Sequence, residues 1–478
     1  MNVLIAAPAG YVGRRLLQRL GRDKQFYLRV LVRDARLIRE ELNTRIEVVE
    51  ADQLDQAALR RAVRGIDVAY FPLRFVSGER DFGARSRDFA SLFRDSCIEA
   101  GVKRIVSLGV RPSWGNSARM DFLLPEAGEI LSACPDRIQT ICLFPGIILG
   151  PGSVFYEMVM SMVEKLPLLL LPPWTEVGIY PVAISDLVEY LAQAAIVDGS
   201  GNLAIGIGEG GITLADLFRL AARICGRRRA MVRVPVMAPR LFAFFLALLT
   251  PLSYPLGRAL VQLLREVRQG SRGPVLDSAG RYFPGIIPVS AEDTLREALA
   301  VTNIGAVGGR WTDSLADVDY REAESAMLGA RYCDERRQDM GDLSPSQVFR
   351  SVLAVGGEKG WFKFDALWRV RGFLDKLLGG FGTSLGRRSP TDLRIGDMLD
   401  VWRVVDLVEN ERLLLAAQMK VFGEAWLEFR LQGTTLVQTA YYHPDGTLGT
   451  LYWYAMLPFH AFIFPDMARN IVKRAQEY

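Results

Sequence analysis

Apolar positions along the first third of the chain follow two alternating patterns. Short continuous apolar runs predict buried strands at Asn2–Ala7, Tyr27–Arg33, Ile46–Glu50, Val68–Phe71, Arg104–Gly109 and Ile138–Leu143. Between them, spacing of three and four predicts helices over Gly13–Leu20, with Leu16, Leu17 and Leu20 on one face, over Gln56–Val63, and over Arg85–Ala100, closed by Gly101. Strands alternating with helices imply a doubly wound parallel α/β sheet.

After Gly150 the alternation loosens. Ser153–Lys165 reads as a helix, Tyr180–Asp186 as a strand running into a helix Leu187–Ala195, and Thr213–Cys225 as a helix with Thr213 as N-cap. With Val232–Val267 these form a smaller lobe over the C-terminal edge of the sheet, where small molecules bind in open α/β folds. Residues 301–319 contain Asn303-Ile-Gly-Ala-Val-Gly-Gly309 and read as a linker. The first domain is therefore expected over 1–300 and the second over 320–478. In the second, Ser344-Pro345 caps a helix ending at Gly356-Gly357, and Leu367–Leu378 is another helix. Extended segments follow at Asp397–Val408, Arg412–Val421, Ala425–Leu431 and Thr435–Tyr442, and then a long aromatic helix, Leu448–Gln476. Antiparallel strands with a long C-terminal helix make an α+β domain.

The turn after the first strand reads Ala6-Ala7-Pro8-Ala9-Gly10-Tyr11-Val12-Gly13. A glycine turn between a strand and a helix lets the backbone approach a pyrophosphate, and the helix N-terminus supplies N–H groups and positive potential. Met1–Arg64 is thus read as a Rossmann-like βαβ unit for a dinucleotide, with Ala7, Ala9, Gly10, Tyr11, Val12 and Gly13 around the phosphates. Ala7 stands where a first glycine is usual. At the end of the second strand an acidic residue would bind the ribose 2′-hydroxyl. Here the residue is Arg33; a guanidinium suits a 2′-phosphate, so NADP is expected, with NAD as the alternative, and the other reading of Arg33 is a solvated surface arginine. Asp52 and Leu54 are placed to meet the adenine edge, Pro72 and Leu73 the pyrophosphate and ribose.

These motifs resemble the atypical short-chain dehydrogenase/reductase group, close to the NmrA-like proteins, over residues 1–110 and more loosely to about 300. The resemblance implies a serine, and a tyrosine and lysine spaced Tyr-x-x-x-Lys, as catalytic groups. No tyrosine lies between Tyr70 and Tyr156, and no lysine between Lys103 and Lys165. Ser107, at the end of the fifth strand, is the one member present, and it also borders the cofactor. A carbonyl reduction needs a proton donor. Glu126 or Glu129, in Asp121–Leu131, would serve if burial raised its pKa; the structural alternative is a helix-surface or capping carboxylate.

The second domain resembles the SRPBCC (START/polyketide-cyclase-like) helix-grip superfamily. The residues that carry the likeness are Gly360-Trp361-Phe362, Leu367–Asp375, Gly386–Arg394, Gly396-Asp397, Asp400–Arg403, Met419-Lys420, Ala425–Phe429, Tyr452-Trp-Tyr454 and Pro458-Phe-His460. The resemblance implies a curved sheet and a long helix around an apolar cavity. Trp402, Trp426, Phe429, Tyr452, Trp453 and Phe459 fill a core or line such a cavity. Arg387 and Arg388 pair with Asp392 and Asp397, or bind an anionic head group. Lys420 is expected to pair with Glu428, and His460 is read as a packed core residue.

Composition narrows the classes. The chain has 478 residues, enough for two or three domains, and a net charge of +4 spread over 58 basic and 54 acidic residues. That near balance does not suit a nucleic-acid surface. Five scattered cysteines and two histidines predict no metal site and fit reduced thiols in the cytoplasm. Three stretches carry no Asp, Glu, Lys or Arg: Ile138–Tyr156, Leu241–Gly257 and Gly446–Pro465. Proline and glycine interrupt each, so they are read as core, with peripheral membrane contact by the second or third left open. The sequence leaves the oligomeric state undetermined. The expected function is an NAD(P)-dependent oxidoreductase acting on a small hydrophobic molecule. The alternative is a non-catalytic NAD(P)-binding sensor or lipid-binding protein.

Overall fold

A computed structural model describes residues 1–71, 82–109, 125–208, 210–234, 238–269, 276–305, 307–315, 320–357, 360–361, 372, 375–376, 380, 382, 386–419 and 422–478. The chain divides into two units, Met1–Thr250 with Pro255–Ala316, and Asp317–Tyr478 with Pro251–Tyr254.

The first unit carries the six expected strands as β1 (Asn2–Ala6), β2 (Tyr27–Val32), β3 (Ile46–Glu50), β4 (Val68–Phe71), β5 (Arg104–Leu108) and β6 (Gln139–Pro145). After them come β7 (Ile147–Leu149), β8 (Leu168–Leu171), β9 (Gly178–Ile179), β10 (Pro181–Ala183), β11 (Leu203–Ile207), β12 (Ile212–Thr213), β13 (Ala230–Arg233) and β14 (Asp277–Ser278). The main sheet has eight strands in the order β14-β11-β6-β5-β4-β1-β2-β3, with every pairing parallel. β11 and β14 were not foreseen: in Leu203–Ile207, Ala204 and Gly206 interrupt the apolar run, and β14 has only two residues. The helices are α1 (Tyr11–Gly21), α2 (Gln56–Val63), α3 (Phe82–Glu99), α4 (Pro125–Leu131), α5 (Val154–Lys165), α6 (Ile184–Ala194) and α7 (Leu214–Ile224). One core layer joins Leu4, Ala69 and Ile105 of the sheet to Leu59 of α2 and Phe93 of α3. α7 begins at a capping box in which Thr213 and Asp216 satisfy each other's backbone N–H. The expected strand 180–186 is shorter, because Ala183 already serves as N-cap of α6.

Residues 307–315, expected to be linker, are packed into the first unit. Val307, Arg310, Trp311 and Thr312 are buried. Arg310 grips Glu157 of α5 at 2.7 Å through both Nε and Nη2, and the Trp311 indole donates to the same carboxylate at 2.8 Å. Glycine-rich composition cannot reveal a partner 153 residues away.

The second unit is an antiparallel sheet with a long helix. Its strands are β15 (Tyr332–Asp339), β16 (Met398–Leu399), β17 (Trp402–Val408), β18 (Arg412–Ala417), β19 (Gly423–Gln432) and β20 (Thr435–Pro444), in the order β15-β20-β19-β18-β17-β16. One core holds Trp402, Leu413, Leu427 and Phe429 of the sheet, Val348 and Val352 of the helix Pro345–Leu353, and Phe464 and Met467 of the C-terminal helix Gly446–Ala475. Ser344 and Gln347 form the capping box of the shorter helix. β15 was missed because its sequence, Tyr-Cys-Asp-Glu-Arg-Arg-Gln-Asp, is nearly all polar; among the described residues it is an edge strand paired only with β20. The expected helix Leu367–Leu378 lies almost wholly outside the described residues, as does Lys420.

The uncharged stretches differ in fate. Ile138–Tyr156 contributes buried β6 and β7. Leu241–Gly257 contributes the helix Pro239–Leu249, which buries Phe242 and Leu246 and exposes Leu241 and Phe245. Gly446–Pro465 is not simply core: Trp453 is buried, but Leu448, Leu451, Tyr454, Phe459 and Phe462 are exposed, which removes Phe459 from the expected aromatic core. Among the described residues no helix is long and apolar enough to cross a membrane.

Candidate functional site

The glycine turn lies where β1 ends at the C-terminal edge of the parallel sheet. Ala7 adopts φ +53°, a left-handed conformation that an L side chain rarely takes and that a glycine would accept freely. Its N–H donates to the Leu31 carbonyl at 2.9 Å, which ties the turn to β2. Gly10 is the N-cap of α1, with φ −75° and ψ 172°, and as a glycine it brings no capping side chain of its own. The first intrahelical bond is from Arg14 N–H to the Gly10 carbonyl at 2.9 Å, so the amides of Tyr11, Val12 and Gly13 lie in the first turn ahead of the helical ladder, the place where helix N-termini meet anions. A Cβ on Gly13 would stand 2.9 Å from the Pro8 carbonyl oxygen and 3.0 Å from its Cα, so only glycine lets the helix close on the turn. Ala9 is half-buried and Val12 is buried. Tyr11 is also buried, which pushes its pKa up to about 12, and its hydroxyl donates to the Pro151 carbonyl at 3.2 Å. The Arg15 guanidinium lies 4.0 Å from the Tyr11 ring centre. Tyr11 therefore fastens the turn to the loop after β7.

Arg33 and Asp52 were read from the sequence as separate contacts. The structure makes them partners, Nη2 to Oδ2 at 3.0 Å, and brings Arg85 of α3 to the same oxygen at 3.8 Å. Asp52 also accepts from Leu54 N–H at 2.8 Å, in a turn that leaves Leu54 on the surface. Asp34, beside Arg33, accepts from Arg36 N–H at 2.9 Å and caps a short 3₁₀ turn, Ala35–Ile38. Pro72 and Leu73 lie outside the described residues.

Ser107 sits in β5 directly across the ladder from Cys142 of β6. It is buried, and its Oγ makes no hydrogen bond to nitrogen or oxygen among the described residues. Its hydrogen-bond partner is the Cys142 thiol. Burial pushes the neighbouring Cys142 thiol up to about 11. A Cβ on Gly109, just beyond β5, would strike the Phe144 ring and the Cys142 sulfur, so the chain there needs glycine. Glu129 is exposed on α4, which denies it the burial its catalytic role required, and the Glu126 side chain lies outside the described residues. Tyr180, which sequence reasoning passed over, lies half-buried beside Gly146, Gly208 and Gly211, at the same ends of β6 and β11. Isolated glycines at the ends of short strands were the available signal, but nothing local indicated that they surround one tyrosine.

In the second unit, Arg388 pairs as expected with Asp397 at 3.0 Å and Asp392 at 2.7 Å. Arg387 does not join them. It donates to main-chain carbonyls, Val355 at 2.8 Å among them, and burial lowers its pKa to about 10. Glu428 pairs with Arg412 at 2.7 Å and Arg430 at 2.9 Å, and accepts from the Tyr441 hydroxyl at 3.0 Å. Burial pulls its pKa upward, but these donors outweigh it and hold the carboxyl below its ordinary value. Arg412 also meets Asp406 at 3.0 Å and reaches Glu324. His460 is packed as expected, stacked on Phe464 at 4.3 Å and edge-on to Trp453 at 5.4 Å.

Parallel strands in the order β3-β2-β1-β4-β5-β6, with the glycine turn after β1, define the first unit as a Rossmann-like dinucleotide-binding fold. Residues 9–121 match the family model described as NAD(P)H-binding, and residues 326–467 match the model of a protein of unknown function, DUF2867. The protein thus joins an NAD(P)-binding type of domain to a DUF2867 domain. A search of the curated proteins gives no match. Among solved structures, gox2253 is 19% identical, covering 64% of this chain and 98% of that one, with a TM-score of 0.48. The UDP-glucose 4-epimerase of Thermotoga maritima is 15% identical, covering 63% and 99%, with a TM-score of 0.46. The UDP-glucuronic acid 4-epimerase of Bacillus cereus, solved with UDP-glucuronic acid and NAD, is 16% identical, covering 63% and 99%, with a TM-score of 0.46. At these identities and scores the likenesses assign no chemistry to this chain.

Proposed function

We propose that this protein is an NADP-dependent oxidoreductase acting on a hydrophobic small molecule. The observation that carries the reading is the turn Ala7–Gly13. A left-handed residue, a glycine N-cap and a glycine that admits no Cβ together make a cradle for a pyrophosphate. Arg33 and Arg85 converge beside Asp52 at the ribose end of that cradle, and planar guanidiniums suit a 2′-phosphate, which favours NADP over NAD. When bound, the nicotinamide supplies hydride chemistry. The chain's own part is to hold the phosphates on the amides of Tyr11–Gly13 and to place a hydroxyl at the end of β5. Ser107, whose buried Oγ meets the Cys142 thiol, is that hydroxyl, and Tyr180, whose main chain packs on Gly146 and Gly208 and whose ring lies against Gly211, is the candidate proton donor.

Calorimetric titration of the purified full chain with NADPH and NADH tests the cofactor reading. NADPH binding that Gly10→Asp abolishes is the expected result, and no binding of either nucleotide overturns it. Turnover of hydrophobic carbonyl compounds or quinones, lowered in kcat by Tyr180→Phe and Ser107→Ala, tests the catalytic reading. The absence of a Tyr-x-x-x-Lys pair favours a second reading, an NAD(P)-binding sensor without turnover. Tight NADPH binding with no oxidation by any candidate substrate would select it.

A further inference from the structure

We infer that the N-terminal half of the C-terminal helix is a docking face for a lipid bilayer surface. From Gly446 to Pro465 this helix has no Asp, Glu, Lys or Arg. Only part of it enters the core of its own unit. Trp453 is buried between Tyr332 and Tyr442, and Ile463 and Phe464 also face inward. Leu448, Leu451, Ala455, Phe459 and Phe462 recur at the three- and four-residue spacing that puts them on one side, and that side is open. Leu451 is 65% exposed and Phe462 72%. Phe422 extends the patch. It is half exposed, with its ring centre 6.4 Å from that of Tyr452. Scattered exposed leucines are normal on a soluble surface, but a contiguous run of this kind is not.

Charge identifies the occupant. Arg469 and Lys473 follow Phe462 by seven and eleven residues, so they continue the same stripe toward the C-terminus, and both are exposed. Arg469 makes a loose pair with Asp466 at 3.5 Å, and Lys473 is exposed with no ion pair among the described residues. Arg331 stands exposed on the flank, its guanidinium 5.7 Å from the Tyr332 ring centre, and Tyr332 in turn meets Tyr454 edge-on at 6.0 Å. A stripe of leucine and aromatic side chains leading into cations, with no transmembrane length, is what an interfacial helix presents: the apolar side chains enter the acyl boundary and the cations reach the phosphates.

The test is flotation of the full chain with vesicles of phosphatidylcholine alone and with added phosphatidylglycerol. The wild-type chain is expected to float, more strongly with the anionic lipid and at low salt. Leu451→Asp and Phe462→Asp change exposed positions, and thermal melting checks that the fold is kept. Each is expected to weaken partitioning by about tenfold or more. Arg469→Gln and Lys473→Gln are expected to weaken it by about fivefold each, on anionic vesicles only. Wild-type protein that never floats overturns the inference, as does a Leu451→Asp/Phe462→Asp double variant that floats as well as wild type. A lipid-free dimer that the double variant splits, with no vesicle binding, overturns it in favour of self-association.

Discussion

Two glycines at opposite ends of α1 allow the cofactor turn to be tested with one substitution made twice. At Gly21 a Cβ would meet only Leu28 Cδ1, at 3.9 Å, an ordinary contact. At Gly13 it would meet the Pro8 carbonyl oxygen, the Pro8 Cα and the Ala7 carbonyl oxygen at 2.9, 3.0 and 3.1 Å, all of them main-chain atoms that cannot swing aside. Replacing glycine by alanine within a helix gains about 0.5–1 kcal/mol at either site. Gly13→Ala must also overpack the turn, at a cost of roughly 1–3 kcal/mol. Gly21→Ala should therefore leave the first unit's stability unchanged or raise it by up to about 1 kcal/mol, whereas Gly13→Ala should lower it by up to about 2.5 kcal/mol. At roughly 2–4 °C per kcal/mol, calorimetry resolves the two. The turn that Gly13→Ala displaces is the one proposed to hold the pyrophosphate, so NADPH affinity should also fall in Gly13→Ala and stay at the wild-type value in Gly21→Ala. Equal melting shifts, or unaltered NADPH affinity in Gly13→Ala, would refute the close approach of α1 to the turn.

Ala7→Gly relieves a left-handed conformation worth about 1–2 kcal/mol, but loses roughly 0.8 kcal/mol of methyl burial and about 0.4–1 kcal/mol through unfolded-chain entropy. Its melting temperature should barely move while NADPH binds more tightly, and weaker binding would show that the methyl does not crowd the ligand. Glu428→Gln should destabilise the second unit by about 2–3 kcal/mol in chemical denaturation, less than the roughly 3–5 kcal/mol of a pair left without partners, because Arg412 keeps Asp406. Burial holds the Asp334 carboxyl above its ordinary value. The folded chain thus keeps a proton that the unfolded chain has already released, and this stabilisation is full below the unfolded value and lost as pH rises through the folded one. Asp334→Asn should accordingly gain on wild type in melting temperature as pH rises above about 4, the ordinary carboxyl value, and a constant difference would contradict that sign.

Much of the first unit was legible because buried parallel strands are short apolar runs and their helices have clear boundaries: Gln56–Val63 and Val68–Phe71 were read without error. The site was less legible. The turn could be read as a motif, but the left-handed Ala7 and the Arg33–Asp52 pair are properties of chain segments brought together only by folding. Ser107 could be named, yet its contact with the Cys142 thiol depends on where β6 lies. Glu129 could not be judged because exposure is decided by tertiary packing. In the second unit, periodicity found the strands that face the core and missed β15, whose buried Asp334 gives no apolar signal.

The chain that leaves the first unit is also what steadies its first helix. Arg15 of α1 donates to the Gly309 carbonyl at 3.1 Å as well as to the Pro151 carbonyl at 3.2 Å, and the next residue, Arg310, neutralises Glu157. A first unit excised at residue 300, where composition alone would place the cut, would lose both attachments and leave an indole-sized gap where Trp311 had been. Its dinucleotide turn would then sit on a helix with one mooring fewer. An excised unit that keeps its tail through Ala316 retains the whole arrangement, so separate expression of the two halves depends on nine residues, 307–315, that read in the sequence as mere connection.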